Sequence, residues 1–510
     1  MHFIPQSAMI AAALLMGGGC RLAAAPEPQG ASSGEPGLSL IHSWPAAGAK
    51  EVCPDAVLRL RFNRPPQLGQ SGAIRVIDSA SRAVLESLEA SATTATRTIG
   101  GFPDFVTYPI TVEGDEAQIP LSGLAYGRAY EVSMDSGVFP GARGLPGAGK
   151  GNPPLRFTTR AAPPTAGTAH LTVATDGTGD FCTVQGAVDF VPAANTVPTT
   201  IFIKKGIYPE IVAFAEKNGL TFRGEDRRQT VIAYANNAKF NPGGGNPFAG
   251  PHPDPSGERA ASRIYHRGVF LAHRAEDLVI ANLTIRNTTP KGGSQAEAII
   301  LNGTETARAI LRDVNLFSFQ DTLQINGQAY VSDCFIEGDV DFMWGTGPCL
   351  FRQCECRSVR SGTYYTQVRN PPAHHGFVFL RCRFDGAPGV TGNFLSRIQP
   401  SRFPASEVVL LDCTLGPSVE DAGWRLDDTA DASNVHFWEY ASHDTEGRPV
   451  EARRRLPVSR QLREPADAPT IARYSDPVFV LGRGWNPMAP SFAAGPAAGS
   501  PAPAPPASPR

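Results

Sequence analysis

The chain has 510 residues, enough for two or three domains. A formal net charge of −2 offers no electrostatic case for nucleic acid or an anionic membrane. With 52 Gly and 46 Pro, turns rather than long helices are expected, while 42% hydrophobic residues suffice for a sizeable core.

Residues 1–23 read as an export signal. The run Ala11-Ala12-Ala13-Leu14-Leu15-Met16 is too short to span a bilayer and fits the apolar core of a signal peptide, although no Lys or Arg precedes it. Cys20 follows three glycines, as at a lipoprotein cleavage site, but Gly17 stands where an aliphatic residue is usual. Lipidation of Cys20 and ordinary cleavage both stay open; in either case the protein is expected to be exported. Residues 24–38 are an Ala/Pro/Gly/Ser linker, and no later segment is long and apolar enough for a transmembrane helix.

Residues 39–160 predict an all-β unit. Val57-Leu58-Arg59-Leu60-Arg61-Phe62 alternates apolar and charged until Asn63-Arg64-Pro65-Pro66 stops it. Tyr130–Met134 and Leu155–Thr159 alternate in the same way, and about 120 residues of short strands suit a β-sandwich. The strings S-W-P-A-A-G-A, L-R-F-N-R-P-P and L-R-F-T-T resemble bacterial Ig-like modules, which implies a spacer or binding accessory rather than chemistry. Residues 161–170 form a second linker.

Residues 171–487 predict a solenoid. At its start Val184, Ala187, Val188 and Val191 have helical spacing, as for a short helix capping the first coil. Strands then recur with a shared core position at Leu283, Val314, Cys334, Cys354, Cys382 and Cys413, in steps of 31, 20, 20, 28 and 31 residues. Coils of similar inner shape with loops of different length give this pattern. Strands without intervening helices favour a right-handed parallel β-helix over a propeller. Four of the nine cysteines share that position and read as a buried ladder of small side chains, with disulfides as the alternative in an exported chain. The Gly/Pro-rich stretch from Asn236 to Ile264 is long enough to wall a substrate groove. Residues 488–510 are a Pro/Ala-rich tail expected to be disordered.

Asp321 and Asp341 lie twenty residues apart, one coil by this reading. Stacked coils would bring them about 5 Å apart. Gln320 adjoins the first, Gln295 lies 25 residues earlier, and Arg397 comes from a later coil. Carboxylate, carboxylic acid, amides and guanidinium together suit acyl transfer with neither metal nor cofactor. Each residue also has an ordinary structural use: an aspartate can cap a turn, a glutamine can stack in a ladder, and an arginine can pair at the surface.

Five strings appear in an order similar to that of the pectin methylesterases (pectinesterases). They are Asp176-Gly177-Thr178-Gly179-Asp180-Phe181 with Thr183-Val184-Gln185; Gly206-Ile207-Tyr208-Pro209-Glu210; Gln295-Ala296-Glu297-Ala298; Phe319-Gln320-Asp321-Thr322-Leu323; and Asp341-Phe342-Met343-Trp344-Gly345. The resemblance implies a right-handed parallel β-helix and demethylation of methyl-esterified polygalacturonate. It implies that Asp341 is the nucleophile, Asp321 the general acid/base, Gln320 the oxyanion donor assisted by Gln295, and Arg397 the group orienting the nucleophile. Phe342, Trp344 and Gln399 are the implied substrate contacts. Gln399 replaces the family's stacking tryptophan, and Trp344 replaces its usual phenylalanine. Leu481-Gly482-Arg483-Gly484-Trp485 matches the family arginine motif better as text, but only Arg397 is followed by a strand and a Gly-Trp segment (Gly423-Trp424). Pectin is the expected partner of a monomeric enzyme. The competing readings are an esterase or thioesterase of the same fold on a non-pectic substrate, and an inactive polysaccharide-binding solenoid.

Overall fold

The computed structural model describes residues 37–149, 151–245 and 263–489. The expected signal peptide, Cys20, nearly all of the first linker, residues 246–262 of the long loop and residues 490–510 lie outside the described residues.

Two antiparallel-rich sheets open the described chain. One runs in the order Leu40–Trp44, Val57–Phe62, Glu116–Pro120, Thr111–Glu113; the other runs Ala49–Val52, Leu155–Thr159, Ala129–Met134, Ala73–Asp78, Val84–Glu89. Their facing apolar residues, among them Leu58, Leu60, Phe62, Ile74, Val76, Val132 and Phe157, form a core of their own. This is the sandwich that strand alternation predicts. It is not a free spacer, however. A hairpin of Ala95–Ile99 and Phe102–Thr107 leaves it and buries Phe102 and Phe105 completely against Ile211, Ala213, Leu271 and Ile300. Two such rings can hold the hairpin in place because burying each is worth about 2–3 kcal/mol.

The larger part is a right-handed parallel β-helix with three sheets. One has eleven strands, from His170–Val173 to Arg460–Gln461, and two have eight, from Gly206–Tyr208 to Thr414–Leu415 and from Val212–Ala215 to Trp424–Leu426. The repeat signature has a conformational cause. Asn282, Asp313, Asp333, Gln353, Arg381 and Asp412, each just before the recurring core position, all have φ between 54° and 57°. One left-handed residue turns the chain from the eleven-stranded sheet to the next, and short polar side chains tolerate that conformation best. The following Val, Leu or Cys then points inward. Cys334, Cys354, Cys382 and Cys413 are all free and buried, as the ladder reading expects.

The helix Val184–Phe190 covers the first coil, with Thr183 capping it through a bond from the Gly186 N–H. Two further short helices, Ala468–Tyr474 and Pro477–Leu481, have no counterpart in the sequence reading. Their Ile471, Tyr474, Val480 and Leu481 pack on Tyr330, Leu350, Val378 and Val409, outward-facing residues of the eleven-stranded sheet. No helix among the described residues is long and apolar enough to cross a membrane.

Candidate active site

The site lies where strands enter the sheet that ends at Trp424–Leu426. Leu323–Asn326 pairs with Val340–Gly345 so that Leu323 faces Met343; two residues earlier, Asp321 lines up with Asp341. The Asp321 N–H donates to the Val340 carbonyl at 3.1 Å, which fixes the alignment. Both aspartates are left-handed, with φ 67° and 47°, and the pairing of Val340–Gly345 with the next strand slips between Val340 and Met343. A bulge at Asp341 re-aims its side chain, and such local strain is common at reacting groups.

Asp341 and Asp321 are only 5% and 8% exposed. Burial pushes the Asp341 carboxyl up, and Arg397 opposes it. The Arg397 Nε donates to both carboxylate oxygens at 2.9 and 3.2 Å, its Nη2 donates to Oδ2 at 2.5 Å, and its Nη1 reaches Asp427 at 3.0 Å. That fork holds Asp341 as an oriented carboxylate. Asp321 is pushed well above the usual carboxylate range by burial and by the neighbouring Glu297, against the pull of Arg267. Burial thus raises both carboxyls, but Arg397 restrains Asp341 while Asp321 is pushed further, and unequal proton affinities are the condition for dividing nucleophile from acid.

Gln295 and Gln320 are half-buried, and neither side-chain amide has a partner among the described residues. Their strands are in contact, since the Ala296 N–H donates to the Gln320 carbonyl at 3.1 Å. The register places Ala296, not Gln295, opposite Gln320. Gln399 is half-buried beside Arg402, whose Nη1 reaches it at 3.4 Å. Arg483 pairs instead with Glu305 at the surface, 2.9 Å away.

Two expected substrate contacts are placed otherwise. Phe342 is 0% exposed, and its ring packs inside the coil against Tyr365, so it belongs to the core and cannot meet a substrate. The bulge explains this: one extra residue between Asp341 and Met343 turns Phe342 inward. Trp344 is 6% exposed and lies under the Arg369 guanidinium, 4.7 Å from its centre. It shapes the floor rather than offering an open face.

Sequence reasoning missed Arg267, Glu297, Arg369 and Asp427. Arg267 bonds Glu297 at 2.7 Å and Asp321 at 3.1 Å while stacking on Tyr265. Glu297 lies in the string Gln295-Ala296-Glu297-Ala298, where nothing in the sequence marks its partner. Arg267 is 54 residues before Asp321, beyond any periodic signal. Its backbone is clamped by Asn236, whose Nδ2 donates to the His266 and Gly268 carbonyls at 2.7 Å each. Asn241 bonds Asn236 at 2.8 Å and also holds both backbone groups of Val106 in the sandwich hairpin. Phe105 stacks on His266 at 4.5 Å. The hairpin therefore braces the segment before the strand Phe270–His273 that delivers Arg267.

Among the described residues one group could offer three metal donors within 4.8 Å of one another, Cys53, Asp55 and Cys182 at the base of the first coil. Asp55 Oδ2 already accepts from the Cys182 and Thr183 N–H groups and the Thr183 hydroxyl.

The pectinesterase family profile matches residues 170–245 and 257–480, more than half of the chain. The chain belongs to the pectinesterase family, a class of carboxylic ester hydrolases. Among relatives, it is 30% identical over 305 residues to "Pectinesterase 31" of Arabidopsis thaliana, spanning 58% of this chain and 89% of that one. It is 30% identical over 271 residues to "Pectinesterase 2" of Olea europaea, covering 52% and 67%. The fold is similar to that of a pectin methylesterase from carrot, with TM-score 0.50 and 21% identity over 61% of this chain and 92% of the other. These relatives are plant proteins, and the family match begins at residue 170, past the sandwich. They give no support to a specifically bacterial, Ig-like lineage.

Proposed function

We propose that the protein demethylates methyl-esterified polygalacturonate through an acyl-enzyme on Asp341. An Asp341 oxygen attacks the ester carbonyl carbon, and the oxyanion is held by the free amides of Gln320 and Gln295. Asp321, protonated, gives its proton to the departing methoxide, which leaves as methanol. The Asp321 carboxylate then takes a proton from water as its oxygen attacks the acyl carbon, and the Asp341–acyl bond breaks. The new acid ionises, leaving Asp321 protonated and Asp341 as carboxylate. What carries the reading is the alignment of Asp321 with Asp341 on consecutive coils, Asp321 pushed well up and Asp341 raised but bonded by Arg397.

The accessory sandwich fits an Ig-like module, and the whole fits an exported, monomeric enzyme. A non-pectic ester is the second reading, because Gln399 stands where a sugar-stacking ring would be and Trp344 is covered. Methanol release from methylated pectin decides between them. Wild type should release methanol, and Asp341→Asn and Asp321→Asn should not. Hydrolysis of a thioester without methanol release would overturn the pectin reading, and unchanged release by Asp341→Asn would overturn the site.

A further inference from the structure

The register of the site sheet puts a third acid in line with the two aspartates. Ile299 faces Leu323 and Leu323 faces Met343, so Glu297, Asp321 and Asp341 occupy the same position on three consecutive coils. Glu297 is 0% exposed, and Arg267, 7% exposed, lies between it and Asp321. The guanidinium is shared unequally. Arg267 Nε donates to both Glu297 oxygens at 2.9 Å and Nη2 to Oε1 at 2.7 Å, whereas Asp321 receives a single bond at 3.1 Å.

We propose that Arg267 and Glu297 are positioning residues for the general acid. Arg267 fixes the orientation of the Asp321 carboxyl, and Glu297 neutralises Arg267 so that Asp321 is free to hold a proton. The inference rests on the acid role of Asp321. Arginine is charged at every working pH. Facing Asp321 alone, it would draw out the proton and leave a carboxylate salt unable to protonate methoxide; such a neighbour lowers an aspartate by about 1–3 pH units. Glu297 takes the stronger bonds, and its own charge repels a second negative charge on the next coil. The other charged groups facing Asp321 are Asp341, from the following strand, and Arg369, just past the end of the strand after that, Tyr364–Val368. Asp341 is itself paired with Arg397, and Arg369 is turned onto Gln367 and Trp344, its Nε 2.9 Å from the glutamine oxygen. Arg267 and Glu297 are therefore the adjustable balance at Asp321. Asn287 locks both backbones together, its Nδ2 donating to the Glu297 carbonyl at 2.9 Å and the Arg267 carbonyl at 3.4 Å.

The test is the pH profile of kcat for methanol release by wild type, Glu297→Gln, Arg267→Gln and the double variant. Glu297→Gln should move the alkaline limb down by about one pH unit or more, with KM little changed. Arg267→Gln should move the limb up while lowering kcat through a loosened Asp321. The double variant should restore the limb to near its wild-type position, a non-additive result that two separate packing defects would not give. Following the Asp321 carboxyl by its carbon-13 resonance in wild type and Glu297→Gln reads the same shift without substrate. If Glu297→Gln does not fold, Glu297→Asp keeps the charge on a shorter stem and should show a smaller shift in the same direction. A lowered Tm with an unmoved profile and an unmoved Asp321 titration would overturn the inference. Full activity in Asp321→Asn would instead defeat the acid assignment beneath it.

Discussion

Among the described residues two arginine–glutamate pairs are almost fully buried, in different settings. Near the last coils, Arg455 and Glu439 are 3% and 1% exposed at their side chains. Arg455 spends its remaining donor on the Asp421 and Glu420 carbonyls, and Glu439 also accepts from Trp424 and Gln461. That network is closed, with every strong group answered inside it. At the site, the Arg267–Glu297 pair carries a third member, Asp321, which has one bond to the pair and faces Asp341. A closed pair holds two coils together. An open one leaves a carboxyl whose protonation can change. The same residue types are structural in one place and tied to chemistry in the other because of what is left unbalanced.

The largest expected effect lies on the open side. Asp341→Asn should lower kcat by roughly 10⁴-fold, as loss of a nucleophile does. Tm should change little, since Arg397 keeps Asp427. A large fall in Tm with activity retained per folded molecule would make Asp341 a structural partner like Glu439.

The closed pair should respond in the opposite way. Glu439→Gln leaves Arg455 buried without its counter-charge and should cost about 3–5 kcal/mol, measured by denaturant unfolding. Its pH–rate profile should match that of wild type. A shifted profile would show that the two pairs are coupled.

Phe105→Ala tests whether the hairpin reaches the open pair. Emptying that buried position should cost about 3 kcal/mol. The methanol-release rate of the folded protein should also fall several-fold, because His266 loses its stacking partner next to Arg267. Unchanged kcat would confine the hairpin to stability.

The smallest effect separates stability from activity by pH. Glu407 sits among His375, His436 and Tyr474; burial opposes its ionisation, but their hydrogen bonds hold it down to about 2. Its folded value lies below the unfolded one, so its contribution is complete above about pH 4.5 and is lost as pH falls toward 2. The contribution is on the order of 3 kcal/mol, and Glu407→Gln should flatten Tm against pH in that window. Activity should follow different groups. It should rise with pH as Asp341 ionises and fall as Asp321 loses its proton, both carboxyls being raised by burial.

Much of this architecture is readable in order along the chain. The steps between Leu283 and Cys413 follow the coils because each coil must present an inward residue after a left-handed corner, and that demand is local. The capping helix is legible from Val184, Ala187 and Val188 for the same reason. Phe342 was misread because a bulge, not alternation, decides which way it points. The terminal helices escaped because Ala468–Tyr474 and Pro477–Leu481 are too short to show a helical period.

From sequence alone came the coil repeat, the family motifs in order and the spacing of Asp321 and Asp341, since each is written in residues close along the chain or at coil intervals. Tertiary structure alone decided that Glu297 and Arg267 share a buried charge with Asp321, and that the sandwich hairpin braces the segment carrying Arg267. Those outcomes depend on which segments meet through loops of no fixed period. They depend too on how much water is excluded where they meet, and burial is what turns an ordinary carboxylate into an acid that keeps its proton.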